Sequence, residues 1–193
     1  MNTTLLKISE LGCRRDGREL FDHLVFSVAP GDCVELLGPN GSGKSTLLRC
    51  IAGLYLDFSG VIESTPSLYW GHKLGVSHLL TARENLNWYA GIAGGDHDVG
   101  AALGRVGMAG YEDVACRNMS AGQQRRVALA RMLLGARKLW LLDEPLTALD
   151  AQGQELVREL MSEHLAAGGG VVCATHQRVG VPGTRQISLR GQG

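Results

Sequence analysis

Apolar positions along this chain gather into short unbroken runs separated by polar, glycine-rich joints. "DCVELLG" (32–38), "KLWLLDEP" (138–145) and "GVVCATH" (170–176) are such runs, rich in Leu and Val and too short for helices. Continuous rather than alternating hydrophobicity marks strands covered on both faces, as in a parallel sheet. Each run ends in polar or glycine residues, and ligands of open α/β sheets bind at that edge, so three strand ends are expected to converge on one site. "KSTLLRCIAGL" reads as the helix that leaves the first strand. Toward the N-terminus, "LLKISEL" and "HLVFSVAPG" read as short antiparallel strands flanking the sheet. Glu35, inside the first core strand, breaks the apolar pattern, and nothing in the sequence accounts for it.

The stretch from about 80 to 135 changes character. "TARENLNWYAGIAG" opens with Thr81-x-x-Glu84, a capping-box spacing, and closes in glycines. "DHDVGAALGRVGM" reads as a loop and a short helix, and "SAGQQRRVALARMLLG" as a longer helix from Ser120 to Gly135. The pattern predicts a helical lobe inserted into an α/β core, with no internal repeat and no low-complexity tract. Residues 1–193 are expected to form one domain on this plan.

Composition adds mainly exclusions. Hydrophobic residues make up 45% and charged residues 20%, which is globular rather than disordered. Nineteen basic and nineteen acidic residues leave a formal net charge of zero, so no basic surface draws the chain to nucleic acid. Cys13, Cys33, Cys50, Cys116 and Cys173 are odd in number and scattered, without a CxxC or CxxCH spacing. They suit a reducing compartment and provide neither a metal site nor a covalent haem site. "MNTTLLKISE" lacks the layout of a signal peptide, and no apolar run nears the ~18 residues of a membrane span. The chain is expected to be soluble, with any membrane role requiring a partner.

The candidate chemistry starts at Gly38-Pro39-Asn40-Gly41-Ser42-Gly43-Lys44-Ser45, followed by Thr46, which fits G-x-x-x-x-G-K-[ST] between a strand and a helix. The glycines let successive N–H groups turn inward around a phosphate, and the helix N-terminus adds partial positive charge. Lys44 supplies a cation for the β/γ oxygens, and the Ser45 hydroxyl is a Mg²⁺ ligand. The four apolar residues 139–142, followed by Asp143 and Glu144, fit the acidic strand that accompanies such a loop. Asp143 is expected to hold the Mg²⁺ shell, and Glu144 to orient or deprotonate the attacking water. Ser120-x-x-Gln123 begins a second helix with a capping box, and Gly122 keeps its first turn bare. Read alone, that start is either a well-capped surface helix or a second anion site.

The order of cradle, helical lobe, "SAGQ", "LLDEP", "ALD" and a strand-end His176 resembles the ATP-binding-cassette ATPases. The resemblance implies a P-loop NTPase fold with a mostly parallel core sheet, an antiparallel flank and an inserted helical lobe. It implies MgATP held between two cassettes head to tail, each signature helix (Ser120, Gly122, Gln123) facing the cradle of the other. It makes Ala148-Leu149-Asp150 a segment crossing the dimer interface and His176 a γ-phosphate contact, joining Lys44 and Glu144 in catalysis. The signature here reads "MSAGQ", with Ala121 in place of a glycine. His72 stands where the family usually has a metal-reaching Gln, which would make it a metal contact. The usual adenine-stacking aromatic is missing near "CRRDGREL"; Arg14 or Arg15 is the expected substitute, by guanidinium stacking.

"YWGHKLGV", "LTARENLNWYAG", "MSAGQQRRVALARMLL" and "EHLAAGGGVVCATHQ" resemble the ATP-binding subunits of cytochrome c maturation haem exporters. That likeness implies a peripheral ATPase on the cytoplasmic face of the bacterial inner membrane, bound to integral permease subunits and itself ligating no haem. The alternatives are a cassette of another small-substrate exporter, a soluble ATPase acting on nucleic acid or the ribosome, and a regulatory cassette that binds without hydrolysing. The intact Lys44, Asp143 and Glu144 oppose the last, and the neutral charge opposes nucleic acid.

Overall fold

Three strands buried along nearly their whole length organise the architecture: β3 (Cys33–Leu37), β6 (Leu139–Asp143) and β7 (Gly170–Ala174). The computed structural model describes residues 4–71, 73–135 and 137–189. The chain divides into two compact units, one of Met1–His72, Arg137–Thr147 and Arg158–Gly193, the other of Lys73–Ala136 and Ala148–Val157.

In the first unit, β1 (Leu6–Arg15), β2 (Arg18–Val28) and β4 (Ser59–Ser64) form an antiparallel sheet in the order β2-β1-β4. The β1–β2 turn is two residues long, Asp16 and Gly17, with φ of 53° and 76°. Positive φ at both positions is the type I′ geometry that matches strand twist in a hairpin. The second sheet is parallel, in the order β5-β6-β7-β3-β8, with β5 at Ser67–Trp70 and β8 at Arg185–Ser188. Helix α1 (Lys44–Ile51) follows β3 and buries Leu47, Leu48 and Ile51 in one core with both sheets. Leu6, Ile8, Phe26 and Val28 enter that core from the antiparallel sheet; Val34, Leu36, Leu141 and Val172 enter it from the parallel one. The expected mixture of parallel core and antiparallel flank is therefore what forms. Strands β5 and β8 went unread in the sequence because their runs are only four residues long and only partly buried.

The second unit is helical: α2 (Ala82–Ala93), α3 (Val99–Arg105) and α4 (Ala121–Ala130), with the start of α5 (Ala151–Ala166). The capping box of α2 forms, Thr81 Oγ1 accepting from the Glu84 N–H at 3.1 Å while the Glu84 carboxylate accepts from the Thr81 N–H at 2.8 Å. Helix α4 is shorter than its sequence pattern. It stops at Ala130 and tightens into a 3₁₀ turn over Arg131–Leu133. The Arg131 guanidinium donates to the Leu74 carbonyl at 2.7 Å and lies 3.8 Å from the Tyr89 ring centroid. Those contacts fix the last turn where a regular helix would carry the side chain elsewhere.

All five cysteines are buried free thiols. Burial pushes Cys50 up to about 12 and Cys173 well above its ordinary value, so both stay protonated near neutral pH.

Candidate functional site

Parallel register aligns the C-terminal ends of β6, β7 and β3: Asp143 lies opposite Ala174, and Ala174 opposite Leu36. The chain leaves these ends as Gly38, Glu144 and Thr175-His176, all in the first unit. The expected convergence of three strand ends is thus a consequence of sheet register. A cavity of about 560 Å³ opens there, bounded by the cradle residues Asn40 to Thr46 together with Glu144 and His176.

The cradle is shaped by glycine. Gly43 is the N-cap of α1, with φ 92°. A methyl there would sit 2.9 Å from Leu20 Cβ and 3.1 Å from a Phe21 ring carbon. At Gly38 a methyl would meet the Leu189 carbonyl at 2.5 Å and Ser42 Oγ at 2.6 Å. Gly43→Ala should therefore destabilise the chain by about 2–4 kcal/mol through left-handed strain and overpacking. A urea midpoint equal to wild type would show instead that the loop rearranges freely.

Helix α1 also differs from the other helices at its start. Thr81, Asp98 and Ser120 cap α2, α3 and α4 with side-chain oxygens, whereas Gly43 offers none. The first-turn N–H groups of α1 therefore have no side-chain acceptor at the cap, an arrangement suited to an anion. Lys44 Nζ donates to the Gly38 carbonyl at 2.7 Å and the Pro39 carbonyl at 3.0 Å, which holds the ammonium over the loop. Ser45 Oγ donates to Asp143 Oδ1 at 2.9 Å. A hydroxyl beside a carboxylate is an oxygen donor set suited to a hard divalent cation such as Mg²⁺. The donor set fits that ion.

Glu144 is held from several sides. Its N–H donates to the Ala174 carbonyl at 2.8 Å, and its φ of 54° lies in the left-handed region. Such a conformation in a non-glycine residue costs about 1–3 kcal/mol and clusters at functional sites. Oε1 lies 3.2 Å from His176 Nε2, and Oε2 accepts from Thr147 Oγ1 at 3.2 Å. Thr147 was not singled out from the sequence. Its place three residues after Glu144, in a turn closed by the Thr147 N–H on the Glu144 carbonyl, is a local signal that could have found it.

Arg15, Asp16 and Arg18 form the cavity wall on the side of the β1–β2 turn. Of the two arginines expected to replace the stacking aromatic, Arg15 borders this cavity. Arg14 pairs with Glu19 at 3.5 Å and borders a different one.

The remaining candidates lie in the second unit or outside the described residues. Ser120, Gly122 and Gln123 form the N-terminus of α4, where Ser120 Oγ accepts from the Gln123 N–H at 3.2 Å and Gln123 Oε1 accepts from the Ser120 N–H at 2.9 Å. A methyl at the exposed Gly122 would meet nothing nearer than Ser120 Oγ at 4.0 Å, so this first turn is open. Asp150 Oδ1 accepts from the Gly153 N–H at 2.8 Å at the start of α5 and lies 3.5 Å from an Arg126 nitrogen on α4. His72, the expected metal contact, falls outside the described residues.

Comparison with known proteins gives a consistent result. The sequence pattern of the ABC transporter family matches residues 21–147. The cytochrome c biogenesis ATP-binding export protein CcmA of Saccharophagus degradans is 43% identical, with 94% of each chain covered. The CcmA of Pseudomonas fluorescens is 44% identical, with 98% of each chain covered. Among solved structures, a dimeric ATP-binding cassette in a post-hydrolysis state bound to ADP and Pi shares the fold, with a TM-score of 0.85, 23% identity and 97% of each chain covered.

Proposed function

Because the chain belongs to the ABC transporter family of ATP-binding proteins, we propose that it is the ATP-hydrolysing subunit of a membrane complex that exports or delivers haem for c-type cytochrome biogenesis. One observation carries the enzymatic part: a single cavity is bordered by an uncapped helix N-terminus, Lys44, Ser45 and the Glu144–His176 pair, with Asp143 bonded to Ser45 from behind. The haem assignment rests on the near full-length likeness to proteins named for cytochrome c biogenesis and export.

The first-turn amides of α1 and the Lys44 ammonium bind the β- and γ-phosphates of ATP. Ser45 and Asp143 would hold Mg²⁺, and the ion would supply positive charge to offset that developing on the phosphate oxygens. Glu144 accepts a proton from the water that attacks the γ-phosphorus, giving ADP and inorganic phosphate. Thr147 holds one oxygen of the Glu144 carboxylate and His176 stands 3.2 Å from the other, which favours one orientation of the base toward the water. The Arg15 guanidinium lies against a face of the nucleobase, which tolerates any base edge.

Two copies of the chain close over each nucleotide, the α4 N-terminus of one meeting the γ-phosphate in the cradle of the other. The open first turn at Gly122 supports this arrangement. No described helix is long and apolar enough to cross a membrane. Attachment to the inner membrane runs through partner subunits. In the helical unit, an apolar cavity of about 260 Å³ beside Leu80, Trp88 and Tyr89, with Trp88 61% exposed, suits an apolar segment of such a partner.

Ser120→Arg tests the shared pocket and the biological assignment together. Bulk and positive charge at the α4 cap should lower hydrolysis by roughly 10²-fold while each chain still binds MgATP. Cells relying on this variant should lose most covalently attached haem from their c-type cytochromes. Normal hydrolysis would return α4 to a simply capped helix; blocked hydrolysis with normal c-type haem would move the complex to another substrate.

A further inference from the structure

Glu35 is the polar residue in an otherwise apolar strand, only 2% exposed, three residues ahead of the cradle glycine Gly38. A carboxyl group in that position destabilises the core unless its oxygens are matched. Both are. Oε1 accepts from the Val179 N–H at 2.7 Å, and Oε2 accepts from Gln186 Nε2 at 3.0 Å, from the residue opposite Glu35 in the β3–β8 register. Val179 is fully buried and lies three residues after His176. Its carbonyl accepts from Arg158 Nε at 2.8 Å, so both backbone groups of this residue are held. Around His176, Thr175 Oγ1 accepts from the Gln177 N–H at 3.1 Å and donates to the Gln177 carbonyl at 2.7 Å, closing a tight turn.

We infer that Glu35 is a positioning residue: it ties the strand that feeds the phosphate cradle to the loop that carries His176, and so sets the place of the imidazole against Glu144. The inference deepens the proposed hydrolytic role of His176 and rests on it. A fold needing only a filled core would be served by leucine or methionine at 35, as at the apolar positions Val34 and Leu36 on either side. A carboxylate aimed at one amide of the His176 loop does something further, because the loop amide would otherwise be orphaned and the loop free to shift. Displacements of about 1 Å in such a constellation can lower turnover by as much as ~10²-fold.

The experiment uses the full chain with Glu35→Met, Glu35→Gln and His176→Ala, alone and combined. Methionine is nearly isosteric and leaves the Val179 N–H unpaired; glutamine keeps an acceptor for it. Glu35→Met should bind MgATP within about twofold of wild type, hydrolyse it about tenfold or more slowly, and expose the Val179 amide to hydrogen exchange. Glu35→Gln should restore most of the turnover and the protection. In the His176→Ala background, Glu35→Met should cost little more, since the histidine it positions is gone. Undiminished turnover and protection in Glu35→Met, or an equal loss of turnover with and without His176, overturns the inference. If Glu35→Met fails to fold, Glu35→Ala takes its place with the same two readouts: turnover equal to that of Glu35→Gln with a deprotected Val179 amide, or an undiminished protection, counts against positioning, and turnover and protection falling together supports it. Wild-type turnover by His176→Ala would instead overturn the proposed role of the histidine. Protection of the Val179 amide then judges the tie by itself, and its persistence in Glu35→Met defeats the inference as well.

Discussion

Glu144→Gln should lower ATP hydrolysis by roughly 10²–10⁴-fold, the usual contribution of a positioned general base, while leaving MgATP affinity close to wild type. Glutamine keeps the length of the side chain and an oxygen to accept from Thr147, but its amide nitrogen replaces the other oxygen and it cannot take a proton. With chemistry stopped and binding intact, ATP should hold two chains together, because a ligand shared by two half-sites favours the paired state for as long as it persists. Size-exclusion chromatography with saturating MgATP should then show a stable dimer for this variant and a monomer-weighted mixture for wild type. A monomer under those conditions would count against the shared pocket, and near-normal hydrolysis would remove Glu144 from the chemistry. Neither result depends on fold damage, since the left-handed backbone at 144 is no worse for glutamine than for glutamate.

Lys44→Ala has the larger expected effect on binding. The ammonium bonds two loop carbonyls, at 2.7 and 3.0 Å, and sits at the start of the uncapped helix α1. Its loss removes charge from the phosphate site and also two restraints on the loop. Affinity for MgATP should fall by about 10²-fold or more, in line with deleting one member of a desolvated charge pair, and hydrolysis should become undetectable. Thermal stability without nucleotide should fall modestly, by about 1–3 kcal/mol, as the Gly38 and Pro39 carbonyls lose their donor. Lys44→Met, which keeps the apolar stem, should recover part of the stability and none of the affinity. Isothermal titration and a denaturation curve separate the two losses. Unchanged titration would disprove the phosphate role outright.

Much of this site is legible in the sequence, and the reason is local. A phosphate cradle is built from consecutive residues, so its glycines, Lys44 and Ser45 appear at fixed spacing along the chain. The apolar run of β6 ending in Asp143-Glu144 is equally local, as are both capping boxes, whose partners are three residues apart. What stays illegible involves residues far apart in the chain. The Ser45–Asp143 hydrogen bond spans 98 residues and the Glu35–Val179 bond spans 144. Glu35 reads as an unexplained flaw in a core strand because its partners are a backbone amide and a side chain brought alongside by β8, a strand with no clear sequence pattern. The choice between Arg14 and Arg15 is likewise undecidable from sequence, since adjacent residues on a strand point to opposite faces and only the register of the hairpin says which faces the cradle.

By itself, then, the order of apolar runs and glycine-bearing loops determined an α/β fold with a glycine-rich turn between its first core strand and the helix that follows, because strand burial and loop conformation are set over a few neighbouring residues. Tertiary structure alone decided which side chains meet: Ser45 with Asp143, Glu144 with His176, Glu35 with Val179. Those pairings depend on parallel register and on crossovers of many residues, and hydrogen bonds reach only about 3 Å. Chemistry at that range needs the sheet to be assembled first.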